Sequence, residues 1–91
     1  MIVYLINYDP KDSDFDYTPL FDKIKSYGSW HHPLEYTWFV KVGDSVLAND
    51  LYTALKPLIS ERDRILIIKV DRVHNQGWLS RSFWDWISKD N

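Results

Sequence analysis

Asp9 is the residue whose type and position most strongly suggest chemistry. It follows an apolar segment, residues 2–8, that has the pattern of a central strand and that Pro10 then stops. Two such carboxylates, meeting across a two-fold dimer, would hold Mg²⁺ and activate a water for phosphoryl transfer. Tyr8 beside it would contact a phosphate or a sugar. The alternative is ordinary turn chemistry, because an Asp before Pro accepts bonds from nearby backbone amides.

The other groups that could bind a metal or move a proton are weaker candidates. Asp12, Asp14 and Asp16 lack the glycine and the terminal glutamate of a calcium loop, which favours a solvated loop. His31 and His32 are neighbours on an expected strand, so their side chains point to opposite faces and do not share an ion. One of them could act as a general acid or base, but we prefer a half-buried, structural histidine.

The C-terminal third combines basic and aromatic side chains that could hold nucleic acid by backbone contact and base stacking. The residues expected to contact nucleic acid or a partner are Tyr8, Arg72, Trp78, Arg81 and Trp84. Acids are interspersed among them, and the whole chain has a formal net charge of −2. Because nonspecific nucleic-acid binding is mostly phosphate neutralisation, the alternative is a solvated charged face.

Hydrophobic periodicity indicates the elements that would position these groups. Strands are expected at 2–8, 29–34, 35–42 and 64–70, the second of them a short edge strand or a turn. Helices are expected between them, the first capped by Asp16 or Thr18 and the second by Asp44 or Ser45. This order predicts an α+β fold of the ferredoxin-like βαββαβ type, an antiparallel sheet with two helices on one face.

The chain is expected to divide into a ferredoxin-like core, residues 1–72, and an aromatic C-terminal tail, residues 73–91. Ser80 or Ser82 would cap a short helix in the tail, with Phe83 and Trp86 on one side of it. Three of the five tryptophans belong to this segment. It is too apolar to remain unpacked, so we expect it to pack on the core or on a partner subunit.

Length and composition set the broad class. A chain of 91 residues, 45% hydrophobic and 16% aromatic, is typical of one small domain. The absence of cysteine excludes disulfides and thiolate zinc sites. We see neither a signal peptide nor an apolar run of bilayer length, and we therefore expect a cytoplasmic protein that does not enter a membrane.

The strands at 2–8 and 64–70 predict a symmetric homodimer. Both are apolar on their two faces, whereas two helices cover only one face of a sheet. Leaving such side chains in water costs about 25 cal/mol per Å² relative to burying them. The second face must therefore be covered by the tail, by a second subunit or by that subunit's tail. A two-fold dimer is the commonest oligomer, and a monomer with its own tail folded back is the alternative.

Several segments give the chain a resemblance to a known group of proteins. They are Tyr8-Asp9, Gly28-Ser29-Trp30, Tyr36-Thr37-Trp38, Leu55-Lys56-Pro57, Gly77-Trp78-Leu79 and Trp84. Over nearly its whole length the chain resembles the SinR family, which is similar to the CRISPR-associated small subunit of the spacer-integration complex and to VapD toxin-like nucleases. The resemblance implies a ferredoxin-like homodimer and a metal-dependent nuclease whose acid after the first strand corresponds to Asp9. Many members of the wider group instead hold nucleic acid or a partner without cutting it.

Two departures from that group matter. The mildly acidic chain weakens a duplex-binding role, and the Trp-rich tail replaces the usual short C-terminal strand. We favour a noncatalytic dimeric module that binds nucleic acid or a protein, because nothing beyond Asp9 has the character of a site. The alternative is an endonuclease acting on RNA or DNA through paired Asp9 and Mg²⁺ bound between subunits. A regulator encoded by a mobile element would suit the size but has no direct support in the sequence.

Overall fold

Alternating apolar residues build a four-stranded antiparallel sheet at the centre of the molecule. The computed structural model describes residues 1–89. Its strands are β1 (Ile2–Asp9), β2 (Ser29–Leu34), β3 (Thr37–Val42) and β4 (Arg64–Lys69). The strand order is β2-β3-β1-β4, so β1 and β3 are central. The central position of β1 and the edge position of β2 are confirmed.

Three α-helices accompany the sheet in the described part of the chain: α1 (Thr18–Lys25), α2 (Ala48–Leu55) and α3 (Arg81–Ser88). The protein is thus a small mixed α+β domain. The turn after α1 passes through Gly28, whose φ of +98° is readily adopted only by glycine. A short 3₁₀ turn, Lys56–Leu58, follows α2, because Pro57 has no amide hydrogen with which to continue the helix.

The start of α2 differs from the sequence expectation. The prediction that Asp44 or Ser45 caps α2 is wrong, since the helix begins only at Ala48 and Leu47 occupies the cap position. The carboxylate of Asp50 reaches back and accepts a hydrogen bond from the Leu47 N–H at 2.8 Å. This bond satisfies a free amide at the helix start, so no acceptor side chain is needed at the cap itself.

The first face of the sheet is closed by α1 and α2. We define this face by the buried side chains that β1 and β3 direct to it: Tyr4, Ile6, Tyr8, Trp38, Val40 and Val42. Leu20 and Ile24 of α1 and Leu51 and Leu55 of α2 are fully buried against them. Leu47 is 62% exposed because it precedes the helix.

The second face is covered only in part. It carries Val3 and Leu5 of β1, Phe39 and Lys41 of β3, and Leu66 and Ile68 of β4. Helix α3 packs on it, and Phe83 and Ile87 bury Val3 and Phe39. The two β4 side chains lie beyond this cover: Leu66 is 54% exposed and Ile68 is 48% exposed.

The aromatic tail is docked on its own chain through α3. The Ser80 hydroxyl accepts a bond from the Phe83 N–H at 3.3 Å, so Ser80 is the cap. The last two residues of the expected tail, Asp90 and Asn91, lie outside the described residues. None of the helices in residues 1–89 has the length and apolar character needed to cross a membrane.

Candidate functional site

Asp9 is the last residue of β1 and lies at the rim of the sheet. Its Oδ2 atom is 2.8 Å from the Nζ atom of Lys11, and its side chain is about half exposed. It lines a shallow cleft of about 290 Å³ on the second face together with Asn7, Arg64, Ile65 and Leu66. The expected catalytic residue therefore borders the uncovered part of the second face, and an ammonium group already balances its charge.

The surroundings of Asp9 do not suit Mg²⁺ within one chain. Mg²⁺ demands octahedral oxygen coordination and usually takes one or two carboxylates. Among the described residues, Asp9 supplies the sole carboxylate of its cleft, and Lys11 and Arg64 place cationic groups there or beside it. Residues 1–89 also contain no cluster of three or more His, Cys, Asp or Glu side chains suited to a metal. A Mg²⁺ site would need a second Asp9 from another subunit.

Tyr8 lies on the opposite face from Asp9, because successive strand residues alternate. Its side chain is 4% exposed and packs in a cluster of rings. The ring centroids of Tyr17, Phe21 and Tyr36 lie 5.6, 6.3 and 5.5 Å away. Burial raises the pKa of the Tyr8 hydroxyl, and the nearby Tyr36, Glu35 and Asp63 raise it further. The structure therefore does not bring the two expected site residues together.

A larger cavity, which we call the aromatic groove, opens where β1 ends on the first face. Its volume is about 650 Å³. The lining consists of Tyr8, Pro10, Lys11, Asp12, Ser13, Phe15, Tyr17, Thr18, Phe21, His32, Glu35 and Tyr36. Sequence reasoning missed this groove. The available signal was the presence of Phe15 and Tyr17 in a loop otherwise rich in acids.

Asp63 fixes one wall of the groove. Its Oδ2 accepts hydrogen bonds from the Tyr17 hydroxyl at 2.5 Å and the Ser60 N–H at 2.9 Å, and its Oδ1 accepts from the Lys11 N–H at 2.7 Å. Burial acts to raise the pKa of this carboxyl, but these hydrogen bonds prevail and hold the pKa below its usual value. Burial and the bond to Asp63 raise the pKa of Tyr17. Asp63 is thus an acceptor that anchors the loop.

The expected contact residues of the C-terminal third separate into two groups. Arg72 is engaged inside the protein: its Nε donates to the Ile87 carbonyl at 2.9 Å, and its Nη2 donates to the Lys89 carbonyl. Trp84 is half-buried, with its ring centroid 5.2 Å from that of Phe83. Trp78, at 99% exposure, and Arg81 are open to solvent. Of this set, these two are the ones available to a partner.

Lys41 is a buried structural residue whose role the sequence did not reveal. Its side chain is 1% exposed beneath α3, where Nζ donates to the carbonyls of Trp86 at 2.5 Å and Lys89 at 2.8 Å. Nζ also lies 4.6 Å from the centroid of the Trp86 ring. A cation at the C-terminal end of a helix satisfies free carbonyls and complements the helix dipole. Lys41 and Arg72 therefore both hold the end of α3 on the sheet.

The two adjacent histidines point to opposite faces, as expected. His31 lies under α3, with its ring centroid 5.3 Å from that of Trp86, and burial together with Lys41 lowers its pKa. His32 stacks on Trp38 at 3.8 Å between centroids, and its Nε2 is 2.9 Å from the Glu35 carbonyl oxygen. Neither has the partner arrangement of a catalytic base.

Comparison with known proteins identifies no relative. A scan against protein-family models, a search of curated proteins and a search of solved structures find no match to this chain. Kinship with the SinR family stays a prediction, and function is inferred from the contacts of this chain alone.

Proposed function

We propose that the protein is a noncatalytic, dimeric, ferredoxin-like module that holds a partner macromolecule. The observation that carries this proposal is the uncovered part of the second face, where Leu66 and Ile68 are about half exposed on an edge strand. The strand order β2-β3-β1-β4, with α1 and α2 on one face, supports the ferredoxin-like assignment. It would also be consistent with the proposed relation to SinR-family proteins.

The proposed dimer contact lies at β4. One side of this edge strand has no neighbouring strand in the sheet, and exposed edges with apolar side chains readily pair with another chain. A two-fold contact would bury Leu66 and Ile68 of each chain against the same surface of the other. The second face would then be covered by α3 on β1 and β3 and by a second subunit at β4.

The proposed surface for a partner lies in the tail. Trp78 offers both faces of its indole ring to solvent, and Arg81 adds a planar cation at the start of α3. Exposed aromatic and arginine side chains are enriched where proteins bind. The net charge of −2 favours a protein partner over nonspecific nucleic-acid binding, because the latter depends on neutralising phosphates.

Sedimentation equilibrium tests the dimer. We expect the wild-type protein to have twice the 10.9 kDa chain mass, and the double variant Leu66→Lys, Ile68→Lys to have the mass of one chain. The matched control is Leu34→Lys, Leu47→Lys, which adds the same charge at two other exposed leucines and should leave the dimer intact. A wild-type protein that sediments as one chain, or a control that dissociates equally, would contradict the proposal.

A second candidate function follows from the position of Asp9. Since Asp9 and Leu66 line the same cleft, a dimer formed at β4 would place two Asp9 carboxylates beside one contact. This favours, as the alternative, a Mg²⁺-dependent endonuclease that cleaves RNA or DNA. The test compares Asp9→Asn with Asp14→Asn, a control that removes the same charge from an exposed loop. Cleavage that Asp9→Asn alone abolishes would establish this function; cleavage that survives it, or none with any divalent metal, would exclude it.

A further inference from the structure

The aromatic groove has the ring geometry of a cation-binding surface. Tyr8 lies between Tyr17 and Tyr36, with ring centroids 5.6 and 5.5 Å away, and Phe15 extends the wall 4.9 Å from Tyr17. Aromatic faces carry negative partial charge, and they attract a cation placed within about 6 Å of the centroid. None of these four rings has a lysine or arginine over it among the cation–π contacts of residues 1–89.

The charges at the groove reinforce this attraction. Asp12 and Glu35 contribute carboxylates to its lining, and the charge of Lys11 is balanced by Asp9 at 2.8 Å. The charge of Glu35 and burial raise the pKa of the Tyr36 hydroxyl. The hydrogen bond between Tyr36 and Glu35 and the charge of the nearby Asp9 raise this pKa further. Tyr8 responds in the same direction to burial and to Glu35. The Asp12 and Glu35 carboxylates in the lining therefore disfavour a phosphate and favour a positively charged ligand.

The lining distinguishes between kinds of cation. Carboxylate and hydroxyl oxygens accept hydrogen bonds, so a cation that carries donors is better matched than a quaternary ammonium. The guanidinium group has five donors, is planar, stacks on aromatic faces and is weakly hydrated. A volume of about 650 Å³ exceeds what one such group fills and lies within the range of ligand pockets. The remaining space suits the chain that bears the group.

We propose that the aromatic groove binds an arginine side chain presented by an extended peptide segment of a protein partner. The guanidinium stacks on the more exposed rings of Tyr17 and Tyr36 and donates to the carboxylates of Glu35 and Asp12, while flanking backbone crosses the open side of the groove. This site is on the first-face side of the sheet, opposite the proposed β4 contact. Its lining does not include Leu66 or Ile68, so the site is tested separately from the proposed dimer.

The experiment is an NMR titration of ¹⁵N-labelled full-length protein with the peptide acetyl-Gly-Arg-Gly-amide. The matched probe replaces arginine with citrulline, which keeps the shape and loses the charge. We expect shifts centred on residues 10–17 and 32–36, and affinity for the citrulline peptide lower by about fivefold or more. Glu35→Gln should weaken arginine binding about threefold or more, whereas Asp44→Asn, an exposed acid away from the groove, should leave it unchanged.

Three outcomes would overturn the proposal. Equal affinity for the arginine and citrulline peptides would remove the role of charge. Shifts that map outside the groove, or no shifts at all, would place the ligand elsewhere or exclude it. Agmatine, a free guanidinium compound, binding as tightly as the peptide would exclude a peptide as the occupant. Tyr36→Leu provides a second check, since loss of this exposed ring should weaken the arginine peptide without unfolding the domain.

Discussion

The two faces of the sheet are covered by different means. On the first face, α1 and α2 close an apolar core whose central side chains, such as Ile6, Leu20 and Leu51, are fully buried. On the second face, one tail helix buries a smaller cluster around Phe83 and depends on hydrogen bonds from Lys41 and Arg72. The first face is complete in one chain, and the second is not.

This difference indicates which face contributes more to the stability of the domain. Burial of apolar area is the dominant favourable term in folding, so the first face supplies most of the stability of the domain. On the second face, Lys41 and Arg72 donate hydrogen bonds to the end of α3, and Leu66 and Ile68 of β4 stay about half exposed.

The largest expected difference between the two faces is in the stability lost when one leucine of each face is replaced by alanine. Leu51→Ala opens a cavity in the first-face core, and we expect it to lower the free energy of unfolding by about 2–5 kcal/mol. Leu66→Ala on the second face should change it by less than about 0.5 kcal/mol, because the side chain is 54% exposed. Denaturant unfolding at concentrations low enough to keep single chains measures both. Equal losses would show that β4 is part of the core.

A substitution of Lys41 tests whether its hydrogen bonds dock the tail on the sheet. Lys41→Met keeps the buried stem and removes the bonds to the carbonyls of Trp86 and Lys89, so we expect a loss of about 1–3 kcal/mol. Hydrogen exchange should accelerate in α3 and stay unchanged in α1. Lys69→Met, at an exposed position, is the control. Unchanged protection of α3 would show that apolar contacts alone hold the helix.

His31 gives the second face a pH dependence near neutrality. Its pKa is lowered by burial and by Lys41, so the unfolded chain binds a proton more readily than the folded one. The part of the stability that depends on a neutral His31 is therefore fully present above the ordinary histidine pKa of about 6.5. It declines as the pH falls through that value towards the pKa of His31 in the folded protein. Thermal unfolding from pH 7.5 to 5 should show this decline in the wild type and a weaker one in His31→Phe. Identical slopes would contradict the assignment.

Trp78 should have the smallest effect on stability. The side chain is 99% exposed, so Trp78→Ala is expected to change the free energy of unfolding by less than about 0.5 kcal/mol. If the tail surface holds a partner, the same substitution should weaken partner capture. Trp84→Ala is the contrasting variant, because this half-buried ring contacts Phe83 and should cost stability. A large loss of stability in Trp78→Ala would show that the ring is structural.

The order of elements was predictable from the sequence because each strand and helix has its own local period. Residues 29–34 form the expected edge strand, and Ser80 is one of the two expected caps of the tail helix. The start of α2 was not predictable, because Asp50 supplies the capping bond from inside the helix. Helix α2 therefore begins at Ala48, three or four residues after the polar residues that were expected to cap it.

The site was less predictable, because its residues meet only in three dimensions. Spacing placed Asp9 at the end of β1, and strand alternation alone sets Tyr8 on the opposite face. Neither could show that Lys11 pairs with Asp9 or that Tyr8 packs among other rings. Lys41 resembles a solvent-facing strand residue until α3 covers it. The aromatic groove draws on the 10–17 loop and the β2–β3 turn, which are far apart in the sequence.

The most direct test of the account is isotope-filtered NMR on an equal mixture of ¹³C-labelled and unlabelled protein. The central claim is that a second copy covers the β4 part of the second face. The account predicts intermolecular contacts from the methyl groups of Leu66 and Ile68 and none from Leu51. Absence of any intermolecular contact to these two methyl-bearing residues, at concentrations where the protein is dimeric, would contradict it.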